Sequence, residues 1–239
     1  MGKKYLIIII TVITVIIAGA GIYFVFSLPN IKSKATHKLE AIKLPEPHST
    51  SETSIEKALK ERRSVRDYKD EPLTLEEISQ LLWAAQGITD PERNFRTAPS
   101  AGALYPLDVY LAAGNVTSLS AGIYKYNPQQ HELLKIGDGD KRIEISQAAL
   151  GQSAVKDGAA LIILSAIYQR TTKKYGERGI RYVHLEAGHA AQNVYLQAVS
   201  LNLGTVTIGA FDDEKVKKAI NLLAEEEPLY LMPIGKKQN

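Results

Sequence analysis

The hydrophobic pattern of the chain begins with a long apolar run. Residues 5–28 contain no charged side chain and directly follow Lys3 and Lys4. At about 1.5 Å per residue, a helix of this length spans roughly 36 Å, more than the hydrocarbon core of a bilayer requires. Residues 1–28 are therefore predicted to form a transmembrane helix that anchors the chain. A cleaved signal peptide is the alternative, although its apolar region is usually only about 7–15 residues long.

A polar stretch separates this run from the remainder of the chain. Residues 29–52 hold three prolines and few large apolar side chains, so they predict a linker with little surface to bury. Lysines flank the apolar run on both sides, and the positive-inside rule therefore leaves the side of the membrane undecided. The lysine pair just before the run favours an extracytoplasmic domain.

Helical periodicity recurs within residues 53–239, which are predicted to form one domain. Two Thr-x-x-Glu sequences, at 53–56 and 74–77, are capping boxes that predict the first turns of two helices. In the second helix, apolar side chains between Ile78 and Ala85 follow the spacing of a buried face. The predicted helices cover residues 53–63, 74–86, 141–150, 180–201 and 212–223.

Strand signals lie between these helices. The turn sequence at 127–130 joins two short runs of strand-forming residues into a hairpin. The run at 159–167 is apolar throughout, as expected of a central strand buried on both faces. The predicted strands cover residues 107–113, 122–126, 131–136, 159–167, 205–210 and 229–234. This mixture predicts an α+β fold around a partly antiparallel sheet.

Composition removes several classes of function. The chain has no cysteine, which excludes disulfides, thiolate metal sites, iron–sulfur clusters and a cysteine nucleophile. A net charge of +3, from 29 basic and 26 acidic residues, does not indicate a nucleic-acid partner. Glu186 and His189 match half of a di-iron helix pattern, but no second copy exists, so no metal site is predicted.

Two segments suit an anionic, flat ligand. Residues 62–66 read RRSVR, and three guanidinium groups with a hydroxyl suit a phosphate monoester. A solvated basic helix end is the alternative. Residues 96–106 read RTAPSAGALYP, where small residues between prolines let the backbone approach a flat ligand closely. An ordinary turn between a helix and a strand is the alternative there.

Two further segments lie near the C-terminus. Residues 204–211 read GTVTIGAF, an apolar strand that ends at a glycine, and its N–H groups could meet a ring nitrogen or oxygen. A buried strand with a bulge is the alternative for this segment. Lys236 and Lys237 follow the last predicted strand, and a plain lysine tail is the alternative to a binding role.

Together these segments resemble the FMN-dependent nitroreductase family and, within it, the SagB-type dehydrogenases. They occur in the family's order and cover nearly all of residues 53–237, and RTAPSAGALYP is the most specific of them. The segments that carry the resemblance are RRSVRDY (62–68), PLTLEEISQLLWAAQGIT (72–89), RTAPSAGALYPLDVY (96–110), LEAGHAAQNVYLQA (185–198), LGTVTIGAF (203–211) and EPLYLMPIGK (227–236).

The resemblance implies a three-layer sandwich whose mixed, largely antiparallel central sheet is flanked by helices. It also implies FMN as the cofactor and a homodimer with two FMN molecules at its interface. The expected activity is hydride transfer between NADH or NADPH and a small organic acceptor through the flavin. The alternatives are a SagB-type azoline or peptide dehydrogenase that uses oxygen, and a non-catalytic flavin-binding membrane sensor.

The resemblance assigns one set of residues to the polar parts of FMN. Arg62, Arg63 and Ser64 would hold the phosphate, joined from the chain end by Lys236 or Lys237. Arg66 would lie near the N1/C2 carbonyl edge of the flavin, where a cation stabilises the negative charge of the reduced ring.

A second set would contact the flavin ring. Ile208 and Gly209 would offer backbone contacts near N5, and a loop of the partner subunit would cover the ring with Pro99, Ser100, Ala101 and Gly102. No catalytic side chain is assigned. Azoline-oxidising SagB-type enzymes use an additional Lys–Tyr pair, for which Arg181–Tyr182 is the nearest candidate, but an arginine is a poor proton acceptor because it stays charged.

Overall fold

The computed structural model describes residues 40–238, together with the backbone of two strands nearer the N-terminus. These strands, β1 (Val12–Ala18) and β2 (Gly21–Ser27), pair as an antiparallel hairpin. The prediction of a continuous helix over 5–28 is therefore wrong for these two stretches, whose many β-branched residues favour strands. The rest of the predicted span and residues 29–39 of the predicted linker lie outside the described residues. Among those described, no helix is both long enough and apolar enough to span a bilayer.

A second compact unit comprises Leu39–Asn239. Its strands are β3 (Ala41–Lys43), β4 (Ile88–Asp90), β5 (Phe95–Arg96), β6 (Leu107–Ala113), β7 (Gly122–Asn127), β8 (Glu132–Asp138), β9 (Ala160–Ala166), β10 (Leu203–Thr205) and β11 (Glu227–Lys236). Its helices are α1 (Ile55–Glu61), α2 (Leu75–Gln86), α3 (Arg142–Ala148), α4 (Ser153–Asp157), α5 (Gln169–Tyr175), α6 (Arg178–Ser200) and α7 (Asp213–Ile220). The α+β prediction is confirmed.

The folded unit begins earlier than the predicted boundary at residue 53. Strand β3 pairs with β8 at the edge of the main sheet, and Leu44, which follows it, is only 2% exposed. The His131 ring lies 2.9 Å from the Pro45 carbonyl oxygen and fixes the next turn. The linker prediction for this stretch is therefore wrong, because one buried leucine and strand pairing anchor a segment that is otherwise poor in apolar residues.

The main sheet has seven strands in the order β10–β11–β9–β6–β7–β8–β3. Every neighbouring pair is antiparallel, so the expected mixed sheet is corrected to an antiparallel one. Strands β6 and β9 are far apart in sequence and still run antiparallel, with Leu107 opposite Ala166. Strands β4 and β5 form a separate two-stranded ribbon.

Helices cover both faces of this sheet. Successive side chains of a strand point to opposite faces, and in β6 Val109 and Leu111 enter a core shared with α2 and α6. Tyr110 and Ala112 enter a second core shared with α3, α4 and α7. All seven residues of β9 are buried, which confirms the prediction that its apolar run is a central strand. The result is a sheet between two helical layers.

Helix starts follow the capping signals closely. In α2 the Thr74 hydroxyl accepts a hydrogen bond from the Glu77 N–H, and the Glu77 carboxylate accepts one from the Thr74 N–H, so the predicted capping box is confirmed. In α1 the cap is Ser54, one residue after the predicted Thr53, and its hydroxyl accepts from the Lys57 N–H. These bonds satisfy amide groups that a helix start leaves without partners.

We expect Thr74→Ala to lower the free energy of unfolding by about 1 kcal/mol, because the substitution removes the side-chain half of the α2 cap. Urea denaturation followed by circular dichroism measures this loss. Thr117→Ala is the control, because Thr117 is exposed and its hydroxyl makes no hydrogen bond with any described residue. Equal destabilisation by the two substitutions would contradict the role assigned to the cap.

Candidate functional site

The segment that follows α1, residues 62–69, is called here the basic segment, and it lies along the last strands of the sheet. The Val65 N–H donates to the Thr205 carbonyl at 2.9 Å, and the Lys69 N–H donates to the Lys236 carbonyl at 3.0 Å. Tyr68 forms an isolated antiparallel bridge with Lys237. Residues from the beginning and the end of the folded unit are therefore held side by side.

Two facing glycines permit this contact. Gly204 of β10 and Gly235 of β11 are register partners. A Cβ atom at Gly204 would lie 2.6 Å from Val65 Cγ1, and one at Gly235 would lie 2.8 Å from Tyr68 Cβ, distances that real Cβ atoms do not adopt. Only glycine at both positions lets the basic segment lie flat on the strands.

Tyr195 of α6 connects this segment to the strand end. Its hydroxyl lies 3.1 Å from Ser64 Oγ and accepts a hydrogen bond from the Thr207 N–H at 2.8 Å. The Arg62 guanidinium stacks over its ring, 5.2 Å from the centroid. Burial alone would raise the pKa of Tyr195, but these hydrogen bonds and the Arg62 charge outweigh it and lower that pKa below its ordinary value.

A small cavity of about 120 Å³ opens beside this contact. Its lining includes the cations Arg63 and Lys237, the carboxylate of Glu61, and the polar side chains of Tyr195 and Thr205. The Thr205 hydroxyl is buried and has no hydrogen-bond partner among the described residues. A buried hydroxyl without a partner, next to two cations, is an available hydrogen-bonding group for an anionic ligand.

Most cations of this region form no ion pair within the described residues, although Glu61 lines the same cavity as Arg63. The Arg63 guanidinium donates to the carbonyl groups of Lys60 and Arg62 at the end of α1. Among residues 40–238 no carboxylate lies within ion-pair distance of Arg62, Arg63, Arg66 or Lys237. Lys236 differs, because its ammonium group pairs with the Glu77 carboxylate of α2. Of the two candidate lysines, Lys237 therefore lines a cavity with Arg63, whereas Lys236 pairs with α2.

The segment after β10 departs from the predicted strand at 205–210. Strand pairing ends at Thr205, and Ile208 then forms one isolated bridge with Leu231. Its N–H donates to the Leu231 carbonyl and its carbonyl accepts from the Leu231 N–H. The Ile208 N–H is therefore already bonded within the chain, whereas Gly209 is exposed.

The loop at 96–106 is a bent structure with its own hydrogen bonds. Gly102, Ala103 and Tyr105 all have positive φ angles, of 66°, 53° and 46°. The Ser100 hydroxyl accepts from the Tyr105 N–H at 2.9 Å, and the Arg96 guanidinium lies over the Tyr105 ring. Side chains rarely adopt this left-handed backbone region, so the loop is held in a strained shape.

Below this loop lies a buried polar cluster. Arg96 donates to the Gln86 side-chain carbonyl at 3.0 Å, and Glu186 of α6 is only 2% exposed. Burial raises the pKa of Glu186 to about 7, against the opposing effects of Ser100 and Arg96. A cavity of about 250 Å³ opens between the loop and α6, lined by Pro99, Ser100, Ala101, Tyr182, Leu185, Glu186 and His189.

Helix α5 covers the loop from the other side. A Cβ atom at Gly102 would lie 2.8 Å from the Tyr175 hydroxyl and 3.0 Å from Lys174 Nζ. The Tyr175 ring stacks edge-on against Tyr182, with 5.2 Å between centroids. Lys174 and Tyr175 therefore form a Lys–Tyr pair beside the loop. The sequence analysis named Arg181–Tyr182 instead, although the sequence KKY at 173–175 could have indicated this pair.

A partly buried ion pair links α5 to the sheet. Arg170 contacts both carboxylate oxygens of Asp108, at 2.9 and 3.0 Å, and lies 3.4 Å from the carbonyls of Tyr105 and Pro106. Burial alone would raise the pKa of Asp108, but the Arg170 hydrogen bonds and the charge of Lys125 hold that pKa well below its ordinary value. The exit of the loop is thus tied to α5 and β6 together.

Helix α6 carries both groups of candidate residues at separate levels. Tyr182 lies near the loop and Tyr195 lies near the basic segment, 13 positions further along the helix. At about 1.5 Å per residue, this separation is roughly 20 Å. Sequence reasoning missed Tyr195 because nothing local in its surroundings indicates a contact with a segment 131 residues earlier.

The antiparallel sheet and its two helical layers define an α+β protein with a basic segment at one end of the sheet. Residues 59–236 match the Nitroreductase family, and the chain belongs to that family.

Three similar proteins show which proteins this chain resembles. A protein of Methanocaldococcus jannaschii named as a nitroreductase is 47% identical over 196 residues, covering 82% of this chain and 96% of its own length. The NAD(P)H FMN reductase of Bacillus subtilis is 26% identical over 191 residues, covering 75% of this chain and 62% of its own. A crystal structure from Anabaena variabilis, also named as a nitroreductase, matches with a TM-score of 0.74 and 30% identity, covering 84% of this chain and 42% of that chain.

We expect Gly235→Ala to destabilise the chain by about 1–3 kcal/mol, because the new methyl group would overlap Tyr68 and displace the basic segment. Chemical denaturation measures the effect. Gly188→Ala is the control, since a Cβ atom there meets nothing within 4 Å and alanine favours a helix interior. If both variants are as stable as the parent chain, the facing glycines do not control this contact.

Proposed function

We propose that this chain is an FMN-dependent oxidoreductase that transfers hydride from NADH or NADPH to a small organic acceptor. Family membership supports the oxidoreductase class. The observation that carries the proposal is the meeting of Arg62, Arg63 and Lys237 around Tyr195, with no carboxylate paired to any of the three cations among the described residues.

The residues of this region fit a phosphate monoester. Guanidinium groups bind phosphate oxygens with planar pairs of donors, and a lysine adds a point charge. The Ser64 hydroxyl and the unpartnered Thr205 hydroxyl provide further hydrogen bonds. When bound, FMN would supply the hydride-transfer chemistry. Arg66, exposed two residues after Ser64, is proposed to lie near the flavin ring edge that becomes negative on reduction.

A homodimer is part of this proposal. The loop at 99–102 and the basic segment contact α6 at positions roughly 20 Å apart, which supports a loop that covers the flavin of a second copy. Apolar side chains on α1 and α6 are available for such an interface. They are Ile55, Leu59, Ile180 and Leu185, each between 44% and 56% exposed.

The first test is cofactor binding. We expect the purified full-length chain to bind FMN and to oxidise NADPH or NADH when an acceptor is supplied. Arg62→Ala should weaken FMN binding about 10- to 100-fold, because it removes a charge-assisted hydrogen bond. Flavin fluorescence quenching during titration measures the affinity.

Arg93→Ala is the matched control, since Arg93 is exposed and pairs with Asp90 on the turn before β5. It should leave the FMN affinity unchanged. A parent chain that neither contains FMN nor takes it up would overturn the proposal. Bound FMN that neither nicotinamide nor common acceptors can turn over would instead support a non-catalytic flavin sensor.

Lys174 and Tyr175 favour a second candidate function, a SagB-type dehydrogenase that oxidises an azoline with oxygen as electron acceptor. Their contact with the bent loop supports a role for this pair in proton removal. In this case the enzyme should oxidise a thiazoline peptide without NADPH, and Tyr175→Phe should slow it about 100-fold. Oxygen consumption measures both rates. Tyr168→Phe, at the residue that precedes α5, is the control. A parent chain that consumes no oxygen with the thiazoline peptide would exclude this candidate, and equal rates in all three proteins would exclude the role of Tyr175.

Membrane attachment through residues 5–28 also stays a proposal, supported by the absence of charge in that run. Fractionation of cells that express the full chain, with a carbonate wash of the membranes, tests it. Recovery of the chain in the wash would contradict it.

A further inference from the structure

Glu186 is a buried carboxyl group whose hydrogen bonds are incomplete. It lies in the middle of α6, is 2% exposed, and its Oε1 atom has no hydrogen-bond partner among the described residues. No described cation lies within ion-pair distance of it, although Arg96 is near enough to influence its titration. Ser100 and Gln86 are its hydrogen-bonding neighbours, and the buried Nε2 atom of Gln86 and Nε atom of Arg96 in the same cluster are also without partners. A buried carboxyl with one unpaired oxygen is costly, so this group requires an explanation beyond packing.

The incomplete carboxyl adjoins a cavity. The cavity has a volume of about 250 Å³ and lies between α6 and the loop residues Pro99, Ser100 and Ala101. This is room for several water molecules, each of which takes about 30 Å³ in the liquid, or for part of a small organic molecule. The same loop is the one proposed to cover the flavin ring, so an acceptor bound against the ring would reach this space.

An exposed imidazole lines the same cavity. His189 follows Glu186 by three positions on α6, a spacing that places two side chains on one helix face. Glu186 is closed off from solvent, whereas His189 is exposed. The two residues thus extend from the buried side of the cavity to its solvent side.

We propose that Glu186 is the proton donor to the organic acceptor and that His189 returns the proton from solvent. This inference rests on the proposed oxidoreductase function. The acceptor gains a hydride, which brings two electrons and one proton and originates in the nicotinamide. It gains a second proton from the Glu186 O–H bond, which breaks and leaves a carboxylate. An imidazolium at His189, recharged from solvent, then protonates that carboxylate.

The surroundings suit this role. Burial raises the pKa of Glu186 to about 7, so the carboxyl still carries its proton near neutral pH. The charged and titratable groups that face it or line its cavity are Arg96 of β5 and the α6 residues Tyr182 and His189, while Ser100 and Gln86 are uncharged. Lys174 and Tyr175 of α5 lie near Gly102 of the same loop, and the Tyr175 ring contacts Tyr182.

The test separates the two halves of the reaction by rapid mixing. In Glu186→Gln, reduction of bound flavin by NADPH should stay within about twofold of the parent rate, because that step needs no proton from Glu186. Reduction of a nitroaromatic acceptor by the pre-reduced enzyme should slow about 100-fold. In the parent enzyme this second rate should fall as pH rises through about 7, and in the variant it should not. Glu177→Gln, at the exposed start of α6, is the matched control.

A second readout does not depend on flavin. With ¹³C-labelled glutamate in the flavin-free chain, NMR should show one carboxyl that titrates near pH 7, absent in Glu186→Gln and present in Glu177→Gln. Burial disfavours the ionised form of the Glu186 carboxyl. The free energy of unfolding of Glu186→Gln should therefore exceed that of the parent above pH 7, and this difference should disappear in acid. Should Glu186→Gln fail to fold, Glu186→Asp, which shortens the reach of the proton, should slow the acceptor step alone.

Each contrary outcome is distinct. An acceptor step as fast in Glu186→Gln as in the parent overturns the inference. Equal slowing of both half-reactions, or loss of flavin from the variant, also overturns it, because Glu186 would then only hold Ser100 and the loop in place. A parent chain that binds no FMN, or whose FMN is not reduced by NADH or NADPH, overturns the proposed function itself and is seen without any variant.

Discussion

Close backbone contact at the end of the sheet decides where the basic segment can lie. Gly204 and Gly235 face each other on β10 and β11, and a side chain at either would occupy the space of Val65 or Tyr68. Without side chains there, the segment after α1 bonds to both strands. Arg63 near the end of the first helix and Lys237 just after the last strand then line one cavity, although they come from opposite ends of the folded unit. Electrostatic repulsion among these cations is a cost that a bound phosphate would relieve.

Much of the fold could be predicted from local signals. The α2 capping box and the apolar run of β9 are each encoded in a few consecutive residues, and both predictions are confirmed. The antiparallel pairing of β6 with β9 could not be predicted, because strand direction is decided by packing of distant segments. The N-terminal run shows the ambiguity of apolar sequence: its length indicates a helix, but its β-branched residues pair as a hairpin.

The candidate site shows the same division. The residue types of Arg62, Arg63 and Ser64 suggest a phosphate. In the structure Arg63 lines a small cavity with Lys237, while Arg62 and Ser64 contact Tyr195. Neither Tyr195 nor Thr205 was predicted to be a site residue, because the residues next to each in the sequence do not indicate a binding role. The resemblance implies a backbone contact between Ile208 and the flavin, whereas in the structure both backbone groups of Ile208 bond to Leu231. Hydrogen-bond competition of this kind is visible only once the partner strand is known.

The left-handed backbone of the loop at 96–106 has a further consequence. Gly102, Ala103 and Tyr105 already hold this shape through bonds to Ser100 and stacking with Arg96. A segment that is curved before its ligand arrives gives up little chain freedom when the ligand settles against it. Affinity for a flat aromatic ring would then depend on how well the shapes of the loop and the ring fit together. The strain of the curved backbone is balanced by the contacts of the folded chain.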